Sequence, residues 1–194
     1  MSDPSPTVAV LAGINGAGKT TASLEILHNF LRIPIFVNAD TIARGLNAFD
    51  VESQAANAGR VMLDHLHQLA AARKSFAFET TLSGRAYATW LASLRVIGYQ
   101  VQLFYYWLES PDLAIERVAE RVRGGGHHVP DETIRRRYRL SIRNFFDLYR
   151  LIADHWRVYD NTERYSRLIA AGVEDREHVL DGERWLEFEK SGDL

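Results

Sequence analysis

Residues 13–20 read Gly13-Ile14-Asn15-Gly16-Ala17-Gly18-Lys19-Thr20 and fit G-x-x-x-x-G-K-[ST] at every position. The glycines let the backbone turn so that its N–H groups point inward at phosphate oxygens. A helix opening near Lys19 would add the positive end of its dipole. Lys19 is then placed to reach the β- and γ-phosphates of a nucleoside triphosphate, and the Thr20 hydroxyl to ligate magnesium. Gly13, Asn15, Gly16, Ala17, Gly18, Lys19, Thr20 and Thr21 form the expected ATP-binding set. The spacing of Gly13, Gly16 and Gly18 does not suit the G-x-G-x-x-G of a dinucleotide site.

Two carboxylates follow short apolar segments. Asp40 ends Phe36-Val37-Asn38-Ala39-Asp40, and Glu79 ends Phe76-Ala77-Phe78-Glu79 before Thr80 and Thr81. A phosphotransferase needs a carboxylate to accept the proton of the attacking hydroxyl. Asp40 could instead cap a helix, Glu79 could serve as a structural hydrogen-bond acceptor, and Asn38 reads as a loop residue. Asp40, Glu79, Thr80 and Arg85 are the expected acceptor-binding residues. No apolar strand ends in the Asp of a Walker B motif; Glu109, after Leu108, is the formal candidate. That pattern argues against a motor ATPase and for a small-molecule kinase, with magnesium held by phosphates, Thr20 and waters.

Eight arginines, at 117, 121, 123, 135, 136, 137, 139 and 143, crowd one segment of a chain whose net charge is -2. Gly124, Gly125 and Gly126 interrupt it as a hinge. An arginine-bearing lid over residues 117–143 would exclude water and neutralise charge developing on a transferring phosphoryl group. Arg117 and Arg121 share a helix face. His127 and His128 read as flap residues, since no third ligand stands at metal-site spacing. A solvated basic helix is the plainer alternative. Aromatic residues for base stacking are sparse here, which argues against nucleic acid.

Such residues need a scaffold. Apolar strands are expected near residues 7–12, 35–37, 75–78, 101–108 and 156–159. Helices are expected over 19–31, 51–73 (with Val61, Leu63, Leu66 and Leu69 inward), 85–97, from Ser110 to about Gly124, and from Pro130 to about Asp154 with a break. A further strand (168–173) and helix (182–190) close the chain. Alternating strands and helices imply an α/β fold of the P-loop NTPase type, with a parallel sheet of about five strands and helices on both faces. Ligands then sit at the carboxyl ends of the strands.

A length of 194 residues fits one P-loop kinase-like domain spanning 1–194. With 46% hydrophobic residues the chain can bury a core. It has no cysteine for disulfides or thiolate metal sites. Residues 1–7 lack the features of a secretory leader and no apolar run could span a bilayer, so a cytoplasmic location without membrane contact is expected.

Together these segments resemble the zeta-toxin-like P-loop kinases, in the small branch labelled "predicted ABC-type ATPase". The resemblance rests on residues 13–20, Phe36 to Asp40 with residues 42–46, residues 76–85, residues 117–138 and residues 156–161. It implies a nucleoside-kinase-like sheet with an arginine-bearing lid, and ATP and magnesium as cofactors. It implies an acceptor hydroxyl such as one on UDP-N-acetylglucosamine, and an antitoxin protein as partner. By resemblance Lys19 holds the transferring phosphoryl group, Asp40 is the base and Glu79 belongs to the acceptor side. Arg121 and Arg136 (or its neighbour Arg137) then stabilise the transition state. Shortness departs from the larger toxins. A nucleotide-dependent switch with little turnover and a nucleic-acid-end kinase are the competing functions.

Overall fold

A computed structural model of the chain describes residues 5–173 and 176–192. Residues 1–4, part of the polar start, lie outside the described residues. In chain order the elements are β1 (Thr7–Ala12), α1 (Lys19–Glu25) continued by a π-helical turn (Ile26–Leu31), β2 (Phe36–Val37), α2 (Ala39–Leu46), α3 (Ala55–Ala71), β3 (Phe76–Thr80), α4 (Ala86–Val96), β4 (Gln100–Trp107), α5 (Pro111–Arg123), α6 (Asp131–Asn144), a second π-helical turn (Phe145–Tyr149), α7 (Arg150–Ile152), β5 (His155–Asp160), β6 (Arg167–Val173), β7 (Arg176–Val179) and α8 (Gly182–Ser191).

The strands form one sheet in the order β2-β3-β1-β4-β5-β6-β7. The first five in that order are parallel, and β6 and β7 extend the edge antiparallel. The sheet therefore has seven strands, where about five were expected. Periodicity could not reveal β7, because all four of its residues are exposed.

Val8 to Ala12 of β1 are fully buried, which requires cover on both faces of the sheet. One aromatic cluster joins Phe76 and Phe78 of β3 to Tyr87 and Trp90 of α4. A second joins Tyr105 and Trp107 to Phe145 and Phe188. On α3 the buried stripe is Ala58, Met62, Leu66 and Ala70, one residue every helical turn. Leu66 faces inward as expected, but Val61 and Leu63 lie on the exposed flank, and residues 51–54 form turns before the helix starts.

Strand order decides which loops meet. β3 lies directly beside β1, with Leu11 opposite Glu79 and Ala12 opposite Thr80. β2 lies beside β3. The carboxyl ends of β1, β3 and β2 thus deliver the phosphate-loop sequence, Glu79 and Asp40 to one end of the sheet.

Candidate active site

The loop between β1 and α1 is held by close backbone packing. Gly13 has φ +134, and a Cβ there would stand 2.3 Å from the Tyr106 carbonyl oxygen. Gly18 has φ +73, and a Cβ there would stand 2.6 Å from Asn161 Nδ2. That amide donates to the Ala17 carbonyl at 2.6 Å, and Asn161 Oδ1 accepts from Ser166. Asn161, just past β5, is therefore a brace for the phosphate loop. In the sequence it was marked by its place after the fifth strand and within the resembling segment 156–161.

Lys19 is buried at 5% exposure. Its Nζ donates to the Ile14 carbonyl at 2.9 Å and lies 3.3 Å from Glu79 Oε1. Thr20 Oγ1 donates to Glu79 Oε2 at 2.6 Å, and Asn38 Nδ2 donates to the same oxygen at 2.9 Å. Glu79 thus touches both functional side chains of the phosphate loop. This is the relation a Walker B carboxylate has to its P-loop hydroxyl. The carboxylate that meets the loop ends β3, one neighbour of β1, and not β4, the other. Glu109 stands elsewhere, 3.5 Å from Arg184.

Asn38 does the capping at α2. Its Oδ1 accepts from Asp40 N at 2.8 Å and Thr41 N at 3.2 Å. It is neither a plain loop residue nor a bystander, and its work leaves the Asp40 carboxylate uncommitted to the helix end. Asp40 is about half exposed and its Oδ2 is 4.0 Å from Arg121 Nη1. Arg121 Nη2 also donates to the His127 carbonyl at 3.1 Å.

The arginines divide by helical phase. Arg137 Nη1 donates to Asn15 Oδ1 of the phosphate loop at 2.9 Å. Burial and the adjacent Arg136 lower the Arg137 pKa, while Asp40 raises it. Arg136 is exposed and absent from the cleft lining. The buried residues of α6 include Ile134, Tyr138 and Ser141. Arg137, three after Ile134 and four before Ser141, borders that stripe; Arg136 faces away. Arg117 donates to the carbonyls of Asn161 and Thr162 at 2.8 and 2.6 Å, bracing the loop after β5. Arg135 pairs with Asp112. Arg85 precedes α4 on the surface, outside the cleft lining, and Thr20 and Thr21 are exposed beside the loop.

A cleft of about 400 Å³ opens between these groups. Lys19, Asp40, Glu79, Thr80 and Arg137 line it, with His127 and His128 from the glycine-hinged segment opposite. Among the described residues, His127 Nδ1 is a buried side-chain atom with no hydrogen-bond partner. The oxygens of Thr20 and Glu79 form a hard donor pair of the kind magnesium accepts alongside phosphates and waters. Among the described residues no cluster of three or more His, Cys, Asp or Glu could hold a metal alone, so such a shared site is the form that fits. Chemically, the arrangement can bind a triphosphate, screen its charge and present a carboxylate to a hydroxyl. Among the described residues no helix is long and apolar enough to cross a membrane.

A profile of the family described as Zeta toxin matches residues 1–170. A protein of Haemophilus influenzae, described as uncharacterized, is 27% identical over 128 residues, covering 65% of this chain and 88% of its own. The AvrRxo1-ORF1:ORF2 complex with ATP contains a chain similar in structure, with a TM-score of 0.72 at 14% identity, over 96% of this chain and 64% of that one. A structure from the PezAT chromosomal toxin–antitoxin system of Streptococcus pneumoniae gives 0.64 at 18% identity, over 100% and 88%. This chain thus spans just under two thirds of the AvrRxo1-ORF1:ORF2 chain it matches. At these identities the structural likenesses speak for the fold, an α/β fold with a mostly parallel sheet similar to P-loop kinases.

Proposed function

The chain belongs to the zeta toxin family, and from that premise we propose that it is a kinase, transferring the γ-phosphoryl group of ATP to a hydroxyl of a small acceptor. The observation that carries the reading is the Lys19–Glu79–Thr20 cluster beside Asp40 and Arg137 in one cleft. In the proposal the phosphate loop and Lys19 hold the phosphates, and Thr20 and Glu79 would hold magnesium directly or through its waters. Magnesium, when bound, would neutralise charge on the phosphate oxygens. Asp40 takes the acceptor's proton. Arg137, which donates to Asn15 of the loop, and Arg121, beside Asp40, stabilise the charge of the transferring group. Closure of the glycine-hinged segment keeps water out and so favours the acceptor over hydrolysis.

A nucleotide-sugar acceptor, the one the family resemblance implies, would require the cleft to hold a diphosphate as well. A protein partner belongs to the same proposal. The PezAT structure comes from a toxin–antitoxin system and AvrRxo1-ORF1 was crystallised with ORF2. Co-elution of a second protein from native-source cells would support a partner here. We propose further that 1–194 acts as one domain.

The kinase reading is tested by incubating the protein with ATP, magnesium and a cell metabolite extract, then searching by mass spectrometry for a species that gains one phosphoryl group. Such a species should form with the wild type and vanish with Lys19→Ala. Tight ATP binding without any phosphorylated product would favour a nucleotide switch and sink the proposal.

A further inference from the structure

Glu79 is reached from both flanks of β3. From the β1 side, Lys19 Nζ lies 3.3 Å from its Oε1 and Thr20 Oγ1 donates to its Oε2 at 2.6 Å. From the β2 side, Asn38 Nδ2 donates to the same Oε2 at 2.9 Å. In the proposed kinase the first two turn elsewhere, Lys19 to the phosphates and Thr20 to magnesium. Asn38 is the donor that stays with Glu79 when the nucleotide binds.

The same side chain holds the start of α2. Asn38 Oδ1 accepts from Asp40 N at 2.8 Å and from Thr41 N at 3.2 Å. One planar amide thus joins the Glu79 carboxylate to the backbone that carries Asp40, its nitrogen bonding one and its oxygen the other. The sheet itself ties the two only briefly. β2 is a two-residue edge strand, with Phe36 beside Ala77 and Val37 beside Phe78. Asn38 follows one step past that last pair, level with Glu79. The Asp40 carboxylate is about half exposed, with Arg121 Nη1 at 4.0 Å, so its place is set largely through the backbone of α2.

Capping alone does not call for asparagine. Asn, Asp and Ser serve about equally at a helix N-cap. The bond to Glu79 does call for it, because Ser stops one bond short and an ionised Asp has no proton to donate.

We propose that Asn38 is a positioning residue, which sets the Asp40 base at a fixed distance from Glu79 so that both address one phosphoryl group. The inference rests on the kinase reading and deepens it. In the step so aligned, the acceptor oxygen bonds to the γ-phosphorus, the bond from that phosphorus to the β–γ bridging oxygen breaks, the hydroxyl proton passes to Asp40, and ADP leaves. Asn38 acts through Glu79 and Asp40, with both ends of its amide engaged.

The test compares the full chain with Asn38→Ser and Asn38→Asp at neutral pH. Both variants keep the cap and lose the donor to Glu79. Each protein is incubated with magnesium, ATP labelled in its γ-phosphate and a dilution series of a cell metabolite extract. ATP is also titrated calorimetrically with and without magnesium. Both variants should transfer label at least ~10-fold more slowly at saturating extract. The half-saturating amount of extract should move by less than about 3-fold. In Asn38→Ser, ATP affinity without magnesium should stay within about 2-fold of wild type, while the gain on adding magnesium shrinks by about 10-fold. Should Asn38→Ser fail to fold, Asn38→Asp alone decides. A transfer rate less than ~10-fold below wild type in either folded variant makes Asn38 a helix cap only; the inference falls and the kinase reading stands. A wild type that binds ATP but labels nothing in the extract overturns the kinase reading and the inference with it.

Discussion

Replacing Glu79 by Gln removes one charge and little volume, and its effect should depend on what is bound. In the free protein, Glu79 lies against Lys19, and the two side chains are 16% and 5% exposed. Breaking a buried pair by neutralising one partner costs about 3–5 kcal/mol. Lys19 keeps its bond to the Ile14 carbonyl, and the Gln oxygen can still accept from Thr20 or Asn38. We therefore expect a loss of about 2 kcal/mol, which in a chain of this size lowers Tm by roughly 4–8 °C. Phosphates can replace the lost carboxylate as partner for Lys19. ATP without magnesium should therefore restore much of the stability, whereas the gain in nucleotide affinity on adding magnesium should shrink by about 10-fold. Urea unfolding with and without ATP, and ATP titrations across magnesium concentrations, read these quantities. A variant as stable as wild type, with unchanged magnesium dependence, would refute the role assigned to Glu79.

Arg137→Met should lower kcat by roughly 10²–10³-fold while Arg136→Met stays within about 2-fold, measured by phosphoryl transfer to the acceptor. Asn161→Ala should cost about 2 kcal/mol by orphaning the Ala17 carbonyl, and weaken ATP binding measured by calorimetry. Asp160 gives a pH signature. Burial raises its pKa, but hydrogen bonds from Arg184 Nε and Thr162 N outweigh burial and hold it below the usual carboxylate value. A depressed folded-state pKa gives stability that is present above the unfolded value, about 3.9, and lost as pH falls through the folded one. Urea midpoints below about pH 4 should therefore fall less steeply in Asp160→Asn than in wild type.

The phosphate loop was legible because its chemistry is local: eight consecutive residues carry the motif, and the flanking apolar run and helix confirm it. The five parallel strands were legible for the same reason. The contact of Glu79 with Thr20 was not, because it depends on β3 lying directly beside β1. Strand order is a property of crossovers, which no local window contains. Three apolar residues, Phe76-Ala77-Phe78, are also a weak version of the run that normally announces such a carboxylate. Asn38 does two jobs with one amide, and neither leaves a spacing signature. The choice between Arg136 and Arg137 was recoverable: Ile134, Tyr138 and Ile142 set the phase of α6 and put Arg137 at the border of the buried face. The break expected before Asp154 is the π-helical turn at Phe145–Tyr149, from which Tyr149 donates to the Gly84 carbonyl.

In the proposed kinase, Asp40 acts as the base toward an acceptor in this cleft. Single-turnover phosphoryl transfer from ATP to the acceptor found in the metabolite extract, compared between wild type and Asp40→Asn, tests this directly. The rate should fall about 10²–10⁴-fold with ATP affinity little changed. An Asp40→Asn protein that transfers at the wild-type rate would contradict it.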